Sequence, residues 1–175
     1  MLQVQYVVGL SEVRRNHKLH ETLIPAIVKG IGAETYLEFG TYVNSTIEWV
    51  KCETRVGVDI KPVTCDGATM YQMTTKEFID SHAYKHAPYD VVFIDADHNA
   101  KAVLADLLGI WHYVAAEGLV FLHDTNPEKP EDTSLGLCGD AWLAASKIAK
   151  NFESVTLPYH PGLTIIRKRG KWGPE

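Results

Sequence analysis

The sequence predicts an α/β protein with one mostly parallel, doubly wound sheet, helices on both of its faces and an antiparallel hairpin at its C-terminal end. Three observations lead to this prediction. Strand-like and helix-like segments alternate from residue 36 onward, which is typical of a parallel sheet. Residues 91–94 form an apolar run without a polar break, as a strand covered on both faces requires. Two apolar segments flank Pro161 and Gly162, which indicates a hairpin.

The N-terminal region is predicted to supply an arm and helices. Residues 2–8 alternate between apolar and polar, which favours a short strand or an ordered arm, and a helix is expected to begin near Ser11. Pro25 is expected to open a second helical segment, because proline is tolerated in the first turn of a helix. We therefore expect an N-terminal arm with helices over 1–32 and the main domain over 33–175, as one compact unit.

The remaining elements follow from apolar periodicity. It predicts strands at 36–39, 55–60, 68–73, 89–94, 119–122, 155–157 and 163–166, and helices at 45–51, 75–83, 100–114 and 141–152. Only residues 61–67 separate the second strand from the third, whereas a crossover with its helix normally takes a dozen residues or more. Either that helix has shrunk to a loop, or the third strand is weak or absent.

The composition excludes several classes of protein. Of the 175 residues, 46% are hydrophobic and 22% are charged, which excludes disordered, collagen-like and coiled-coil chains. The net charge of -5 argues against a nucleic-acid partner, and no apolar stretch approaches the ~20 residues of a membrane span. The three cysteines are widely spaced and lack a CxxC pair, which predicts reduced thiols. We therefore expect a cytoplasmic protein with neither a nucleic-acid nor a membrane partner.

Polar residues follow the carboxyl ends of four predicted strands, where ligands bind in open parallel sheets. They are Glu38 to Thr46 after the first strand, Asp59 after the second, Asp95 to His98 after the fourth, and His123 with Asp124 after the fifth. Polar capping of strand ends without a ligand is the alternative for any single residue. The whole set at one sheet edge predicts a binding site.

The loop after the first strand is suited to an adenosine-containing cofactor. Gly40 permits a tight turn, and Asn44, Ser45 and Thr46 open the next predicted helix, whose free N–H groups attract an anionic group. Asn44 can also adopt a left-handed conformation, as glycine does. Asp59 follows Gly40 by about 20 residues, the spacing at which a carboxylate binds both ribose hydroxyls. A dehydrogenase would carry G-x-G-x-x-G here, and this chain does not.

Over residues 36–125 the chain resembles the class I S-adenosylmethionine-dependent methyltransferases, a family with a Rossmann-like fold. It is most similar to the small metal-dependent O-methyltransferases of the catechol type and their relatives acting on sugars and macrolides. The family's motif E-x-G-x-Y-x-G-x-S is matched here by Glu38, Gly40, Tyr42, Asn44 and Thr46. Residues 93–98 resemble F-I-D-G-D-H, and residues 117–124 resemble G-G-x-x-x-x-H-D.

The resemblance implies how the cofactor, S-adenosyl-L-methionine, is held. Its methionine end would contact the first motif, which includes Glu38, Gly40, Tyr42, Asn44, Ser45 and Thr46. Asp59 would bind the ribose, and Met73 and Thr74 stand at the adenine position, where relatives often have Gly-Asp. The usual acidic contact to the adenine amino group is therefore missing.

The resemblance also implies catalytic and metal-binding roles. Asp95 would lie beside the transferred methyl group and, with Asp124, would ligate Mg²⁺ or another divalent cation. His98 stands where a catechol-type enzyme carries its general base. Thr125 replaces the asparagine that completes that metal site, so His123 is a candidate substitute, and Asn126 is another.

These roles predict O-methylation of a hydroxyl group on a small molecule. The alternatives are a non-catalytic binding domain, or an NAD- or nucleotide-binding Rossmann-like domain. His98 would then cap a helix, and His123 would be a hydrogen-bonded residue at a strand end. The remaining histidines are interpreted as surface or scaffold: His17, His20, His82, His86, His112 and His160.

The acceptor site is expected to use residues 1–32 and the acidic loop 126–137, since substrate pockets of this family come from terminal or inserted segments. Glu128, Glu131 and Asp132 make that loop unfavourable for a highly anionic acceptor. The shortness of the chain suggests a small acceptor, an open site, or a partner subunit that completes the pocket, as in a homodimer.

Overall fold

The computed structural model describes residues 18–134 and 136–170. Within these ranges the strands are β1 Thr35–Phe39, β2 Thr54–Asp59, β3 Thr69–Gln72, β4 Tyr89–Ile94, β5 Val114–His123, β6 Glu153–Leu157 and β7 Leu163–Arg167. The α-helices are α1 Leu19–Ile31, α2 Thr75–Ser81, α3 Ala100–Ile110 and α4 Ala141–Ile148, and short 3₁₀ turns span Ala83–Lys85, Trp111–Tyr113 and Pro130–Thr133. No helix in these parts of the chain has the length and apolar character needed to cross a membrane.

The strands form a single sheet in the order β3-β2-β1-β4-β5-β7-β6. β1 to β5 run parallel, whereas β7 pairs antiparallel with both β5 and β6. This arrangement confirms the predicted Rossmann-like sheet and its C-terminal hairpin. The chain leaves β1 for β2 on one side and returns through β4 on the other, so a crevice opens beyond the carboxyl ends of β1 and β4.

Successive side chains of the strands enter opposite faces of the sheet. Helices α2, α3 and α4 cover one face, and α1 with the segment that holds Ile47 and Val50 covers the other. On one face, Leu37 packs in the cluster that holds Phe78 of α2 and Leu107 of α3. On the other face, Tyr36 packs with Ile24 of α1. The apolar run 91–94 is buried throughout, as predicted for a strand covered on both sides.

The predicted helix at 45–51 does not form, and hydrogen-bonded turns occupy 42–49 instead. Tyr42 and Asn44 have positive φ angles of 45° and 62°, which a right-handed helix does not contain. Ile47 and Val50 are fully buried beneath these turns. Apolar burial therefore shapes this crossover without a regular helix.

Pro25 was expected to open a helix, but it lies well inside α1, which begins at Leu19. His20, Ile24 and Val28 are spaced four residues apart and are all buried. Packing of this stripe on the sheet holds the helix together across the proline, as tertiary contacts commonly do for short helices. The expected strand over 2–8 and the helix start near Ser11 lie outside the described residues.

The connection between β2 and β3 is a loop without a helix, while β3 forms and pairs with β2. Arg55 organises this connection, because its guanidinium donates hydrogen bonds to the backbone oxygens of Ile47 and Asp66. The first of the two alternatives raised by the short spacing is therefore correct: the crossover helix has shrunk to a loop.

Candidate active site

Two adjoining cavities open beyond the carboxyl ends of the parallel strands. The larger, of about 540 Å³, is lined by seven of the predicted site residues, namely Gly40, Tyr42, Asp59, Asp95, His98, His123 and Asp124. The smaller, of about 200 Å³, is lined by Met73 and Thr74. Gly40 and Asp59 border both cavities. The geometry thus suits one extended ligand that crosses the sheet edge.

Gly40 brings the ends of β1 and β4 together. Its φ is +81°, and a Cβ there would lie 2.1 Å from the backbone oxygen of Asp95 and 2.6 Å from the Cα of Ala96. The backbone N–H of Asp95 donates to the oxygen of Phe39 at 2.9 Å, which continues the strand pairing to this point. Only glycine permits this approach, and Asp95 is placed at the cavity as a result.

Asp59 lies between the two cavities with its carboxylate held by the backbone. Its Oδ2 accepts the N–H of Tyr42 at 2.8 Å, and its Oδ1 accepts the N–H of Lys61 at 2.8 Å. Each carboxylate oxygen retains a further lone pair, so two more donors can bind. A ribose offers two such hydroxyl donors in adjacent positions.

Glu38 is placed differently from the other predicted residues. It is 2% exposed, lies outside the lining of both cavities, and its Oε2 accepts a hydrogen bond from the Tyr36 hydroxyl at 2.6 Å. Burial raises the pKa of Glu38 to about 8, although the Tyr36 hydrogen bond acts in the opposite direction. The structure therefore places Glu38 beneath the site as a buried acid.

The turn that follows Gly40 also lies behind the cavity surface. Asn44 has the left-handed conformation expected of it, and its Nδ2 donates to the backbone oxygen of Thr64 at 2.6 Å. Ser45 is half-buried and Thr46 is 1% exposed, and neither lines the two cavities. Asn44 joins this turn to the loop after β2, a contact that supports the position of Tyr42.

Two carboxylates and two histidines meet at the far end of the larger cavity. The Nδ1 of His123 lies 3.1 Å from Oδ1 of Asp95 and 3.3 Å from Oδ1 of Asp124. The Nδ1 of His98 lies 3.2 Å from Oδ2 of Asp124 and also contacts the backbone oxygen of Leu137. The neighbours of Nδ1, a carboxylate and a carbonyl oxygen, are both acceptors, which favours the tautomer with its proton on Nδ1 and the lone pair on Nε2.

The charges in this group are mutually balanced. Burial alone would lower the pKa of His123, but Asp95 and Asp124 together outweigh it and raise the pKa to about 10. Burial likewise favours the neutral form of Asp124, but His123 and His98 hold its pKa below the usual value. At neutral pH, His123 is therefore protonated and Asp124 is ionised.

The same group fits a divalent cation. Asp95, His98 and Asp124 each offer a ligand atom, and these atoms lie within 4.8 Å of one another. Asp124 is 5% exposed, so its carboxylate points into a site largely shielded from water. Carboxylate oxygens are the ligands that Mg²⁺ prefers in proteins. The donor set of Asp95 and Asp124 is thus chemically suited to such an ion.

His20 was interpreted as surface or scaffold, and its surface assignment is wrong. It is 6% exposed, and its ring centroid lies 4.4 Å from that of His123. Burial lowers the pKa of His20 to about 4, and the charge of His123 adds to the effect. The signal was present in the spacing of His20, Ile24 and Val28, but a helix starting at Pro25 leaves His20 outside the stripe.

The larger cavity also has lining residues that were not predicted, among them His160 and Cys138. His160 lines it, and its Nδ1 lies 3.5 Å from Oδ2 of Asp132. Cys138 also lines the cavity and is 1% exposed. Burial, with Asp124 next, raises the pKa of the Cys138 thiol to about 12, so the thiol stays protonated.

A family model described as a methyltransferase domain matches residues 11–125. A comparison with curated proteins found no match.

Among solved structures, this chain is similar to TomG from Streptomyces achromogenes, an O-methyltransferase of tomaymycin synthesis that was crystallised with S-adenosylmethionine. The two chains share 15% sequence identity, and the TM-score is 0.62. The match covers 89% of this chain and 80% of TomG. Rv0187 from MTB, crystallised with cofactor, is 14% identical with a TM-score of 0.64 over 95% of this chain and 84% of Rv0187.

The MycE methyltransferase of the mycinamycin biosynthetic pathway, in complex with Mg, S-adenosylhomocysteine and mycinamycin VI, has a TM-score of 0.61 and 16% identity. The match covers 86% of this chain but 50% of MycE, so the chain spans about half the length of that enzyme. The family model covers well over half of the chain, and the motifs at the strand ends agree with it. The chain therefore belongs to the methyltransferase domain family, of the class I S-adenosylmethionine-dependent type that its motifs resemble.

Proposed function

We propose that this protein transfers the methyl group of S-adenosyl-L-methionine to a hydroxyl group of a small molecule, assisted by a divalent cation. One observation carries the proposal: the adjoining cavities place Asp59 at the sheet edge and the group of Asp95, His98 and Asp124 at the far end. TomG was crystallised with S-adenosylmethionine and MycE with S-adenosylhomocysteine and Mg, which supports the same cofactor and ion here.

The cofactor would lie across the sheet edge. The Asp59 carboxylate has lone pairs left for the two ribose hydroxyls, and the smaller cavity beside Met73 and Thr74 would receive the adenine. The sulfonium end would then reach toward Asp95 in the larger cavity. We infer that Glu38, Asn44, Ser45 and Thr46 act on the cofactor through the loop they support, because none of them lines the cavities.

Methyl transfer is an in-line displacement in which the acceptor oxygen bonds to the methyl carbon as the carbon–sulfur bond breaks. The protein contributes chiefly by alignment of the reacting atoms. The hydroxyl proton passes to Nε2 of His98, since Nδ1 is held by Asp124 and Leu137. A divalent cation held by Asp95 and Asp124 would supply a lower pKa and a fixed orientation to the acceptor hydroxyl.

Cofactor binding provides the first test. S-Adenosylhomocysteine is expected to raise the melting temperature, whereas NAD is expected to leave it unchanged. Asp59→Asn should weaken S-adenosylhomocysteine binding about tenfold, because a carboxylate oxygen that accepts a ribose hydroxyl becomes an amide donor. Isothermal titration calorimetry measures the change. Asp66→Asn is the matched control, as Asp66 is an exposed aspartate in the loop after β2.

An unchanged melting temperature with S-adenosylhomocysteine would refute the cofactor assignment. A stabilising effect of NAD would favour a nucleotide-binding function in its place. Equal affinity of Asp59→Asn and the parent protein would show that the ribose lies elsewhere.

His98→Gln tests the assignment of the base. Turnover with a hydroxyl-bearing acceptor found by screening catechols, sugars and macrolides is expected to fall about 100-fold, while S-adenosylhomocysteine binding stays within twofold. Exposed His112→Gln is the control. If His98→Gln turned over as fast as the parent across pH 6–9, His98 would not be the base. If the parent bound cofactor but methylated no acceptor, a binding domain would be the better description.

A further inference from the structure

A second trio of ligand atoms lies next to the carboxylates. His20 from α1, Asp95 after β4 and His123 at the end of β5 each offer one ligand atom, and these atoms lie within 4.8 Å of one another. We call these three residues the histidine trio. It shares Asp95 with the trio that includes His98 and Asp124. Three separate elements thus bring two imidazoles and one carboxylate to a single point.

The histidine trio contains nitrogen atoms that packing leaves without partners. The Nδ1 of His20 and the Nε2 of His123 are buried and have no hydrogen-bond partner among the described residues. His20 is 6% exposed, and its neighbours include the rings of Phe93 at 5.6 Å and His123 at 4.4 Å. An apolar ring at position 20 would fill this space without the cost of a buried polar atom. The unpartnered nitrogen therefore points to a ligand.

The donor atoms distinguish one class of ion from another. Imidazole nitrogen suits Zn²⁺, Co²⁺ and Fe²⁺, whereas Mg²⁺ requires oxygen ligands and retains several waters. Two histidines with one carboxylate are a known set for zinc and for non-haem iron. A metal ion coordinates only a neutral imidazole, so its binding would release the proton that His123 carries in the ion-free protein. We propose that the histidine trio gives this protein a transition-metal site, in which His20 is a metal ligand.

Asp95 belongs to both trios, so this inference deepens the proposed function. Only the role of the ion in catalysis rests on that function. Ion binding itself is measurable without an acceptor. His20→Phe removes the ligand and keeps an aromatic ring against Phe93, so the variant retains the packing of α1. His82→Phe is the matched control, because the His82 ring also stacks on a phenylalanine, Phe78, away from the site.

The experiment uses the full chain after dialysis against EDTA. Calorimetric titration measures the affinities for Co²⁺ and Mg²⁺, and the visible absorption of the Co²⁺ complex reports its ligands. Binding of S-adenosylhomocysteine is measured separately. We expect the parent and His82→Phe to bind Co²⁺ at least tenfold more tightly than Mg²⁺. We expect His20→Phe to lose at least tenfold in Co²⁺ affinity and to shift the Co²⁺ absorption bands, with Mg²⁺ affinity within twofold of the parent.

Co²⁺ binding to His20→Phe with parental affinity and absorption would overturn the proposal. The variant is needed because most nitrogen- and oxygen-donor sites favour Co²⁺ over Mg²⁺, so the preference of the parent does not identify the ligands. Failure of the parent to bind Co²⁺ would overturn it as well. Neither result bears on the cofactor, which the S-adenosylhomocysteine measurement reports separately. If the parent protein did not bind S-adenosylhomocysteine, the proposed function would be refuted, whereas the result for metal binding would remain valid.

Discussion

Gly40→Ala is expected to destabilise the protein by roughly 3–5 kcal/mol, from overpacking together with left-handed strain. The new Cβ would lie 2.1 Å from the backbone oxygen of Asp95, and backbone cannot rotate away as a side chain can. The φ of +81° adds a conformation that alanine rarely adopts. For a protein of this size, the loss corresponds to a fall in melting temperature on the order of 10 °C.

The substitution should also remove ligand binding, because relief of the clash moves Asp95 and Ala96 away from the end of β1. Chemical denaturation followed by circular dichroism measures the stability, and S-adenosylhomocysteine calorimetry measures the binding. Gly30→Ala provides the control: no atom lies within 4 Å of its added Cβ, and alanine favours a helix by up to ~1 kcal/mol. Equal stability of the two variants would contradict the described contact between β1 and β4.

Glu38→Gln is expected to change how stability depends on pH. Burial raises the pKa of Glu38 to about 8 in the folded protein, so the folded state holds a proton that the unfolded chain has released at neutral pH. The stabilising contribution is complete below the ordinary carboxyl pKa of 4.5 and is lost as the pH rises toward 8. At 1.36 kcal/mol per pKa unit, the shift from 4.5 to about 8 corresponds to a loss of roughly 5 kcal/mol.

The measurement is the free energy of unfolding of parent and variant in denaturant at intervals from pH 4.5 to 8.5. The difference between them isolates Glu38, because other groups that change protonation, such as the buried Asp106, are common to both proteins. Glutamine cannot ionise, so its curve should lack the part of the decline that Glu38 causes. Glu48→Gln, at an exposed position of the neighbouring turns, should keep the parental curve. Parallel curves for Glu38→Gln and the parent would mean that Glu38 is ionised when folded.

Much of the site was predictable from local patterns. Asp59 ends β2, whereas Asp95 and Asp124 directly follow β4 and β5, and parallel strands place their carboxyl ends at one edge of a sheet. The pattern of a strand followed by polar residues therefore predicts seven residues that line the larger cavity. The hairpin was predictable for a similar reason, since Pro161 and Gly162 act on the chain directly beside them.

Other features depended on burial in the core and on contacts between distant segments. Glu38 carries the residue type of a ligand contact, but its partner is Tyr36 on the same buried face, and burial determines its protonation. The turns over 42–49 replaced a helix because burial of Ile47 and a contact from Asn44 to the loop after β2 prevailed over local helical preference. Neither the depth at which Glu38 is buried nor the contact of Asn44 with Thr64 can be read from spacing along the chain.

The sequence by itself determined the family, the succession of strands along the chain, and Asp59, Asp95 and Asp124 at the sheet edge, because each depends on short-range periodicity or on motifs within one loop. Tertiary structure alone decided that His20, more than 70 residues before Asp95, packs beside it and His123. Helix α1 reaches the site by burying one stripe against the sheet, and that docking depends on the shape of the whole core. The acids and His123 lie where strands end, whereas His20 reaches the site through the packing of a helix.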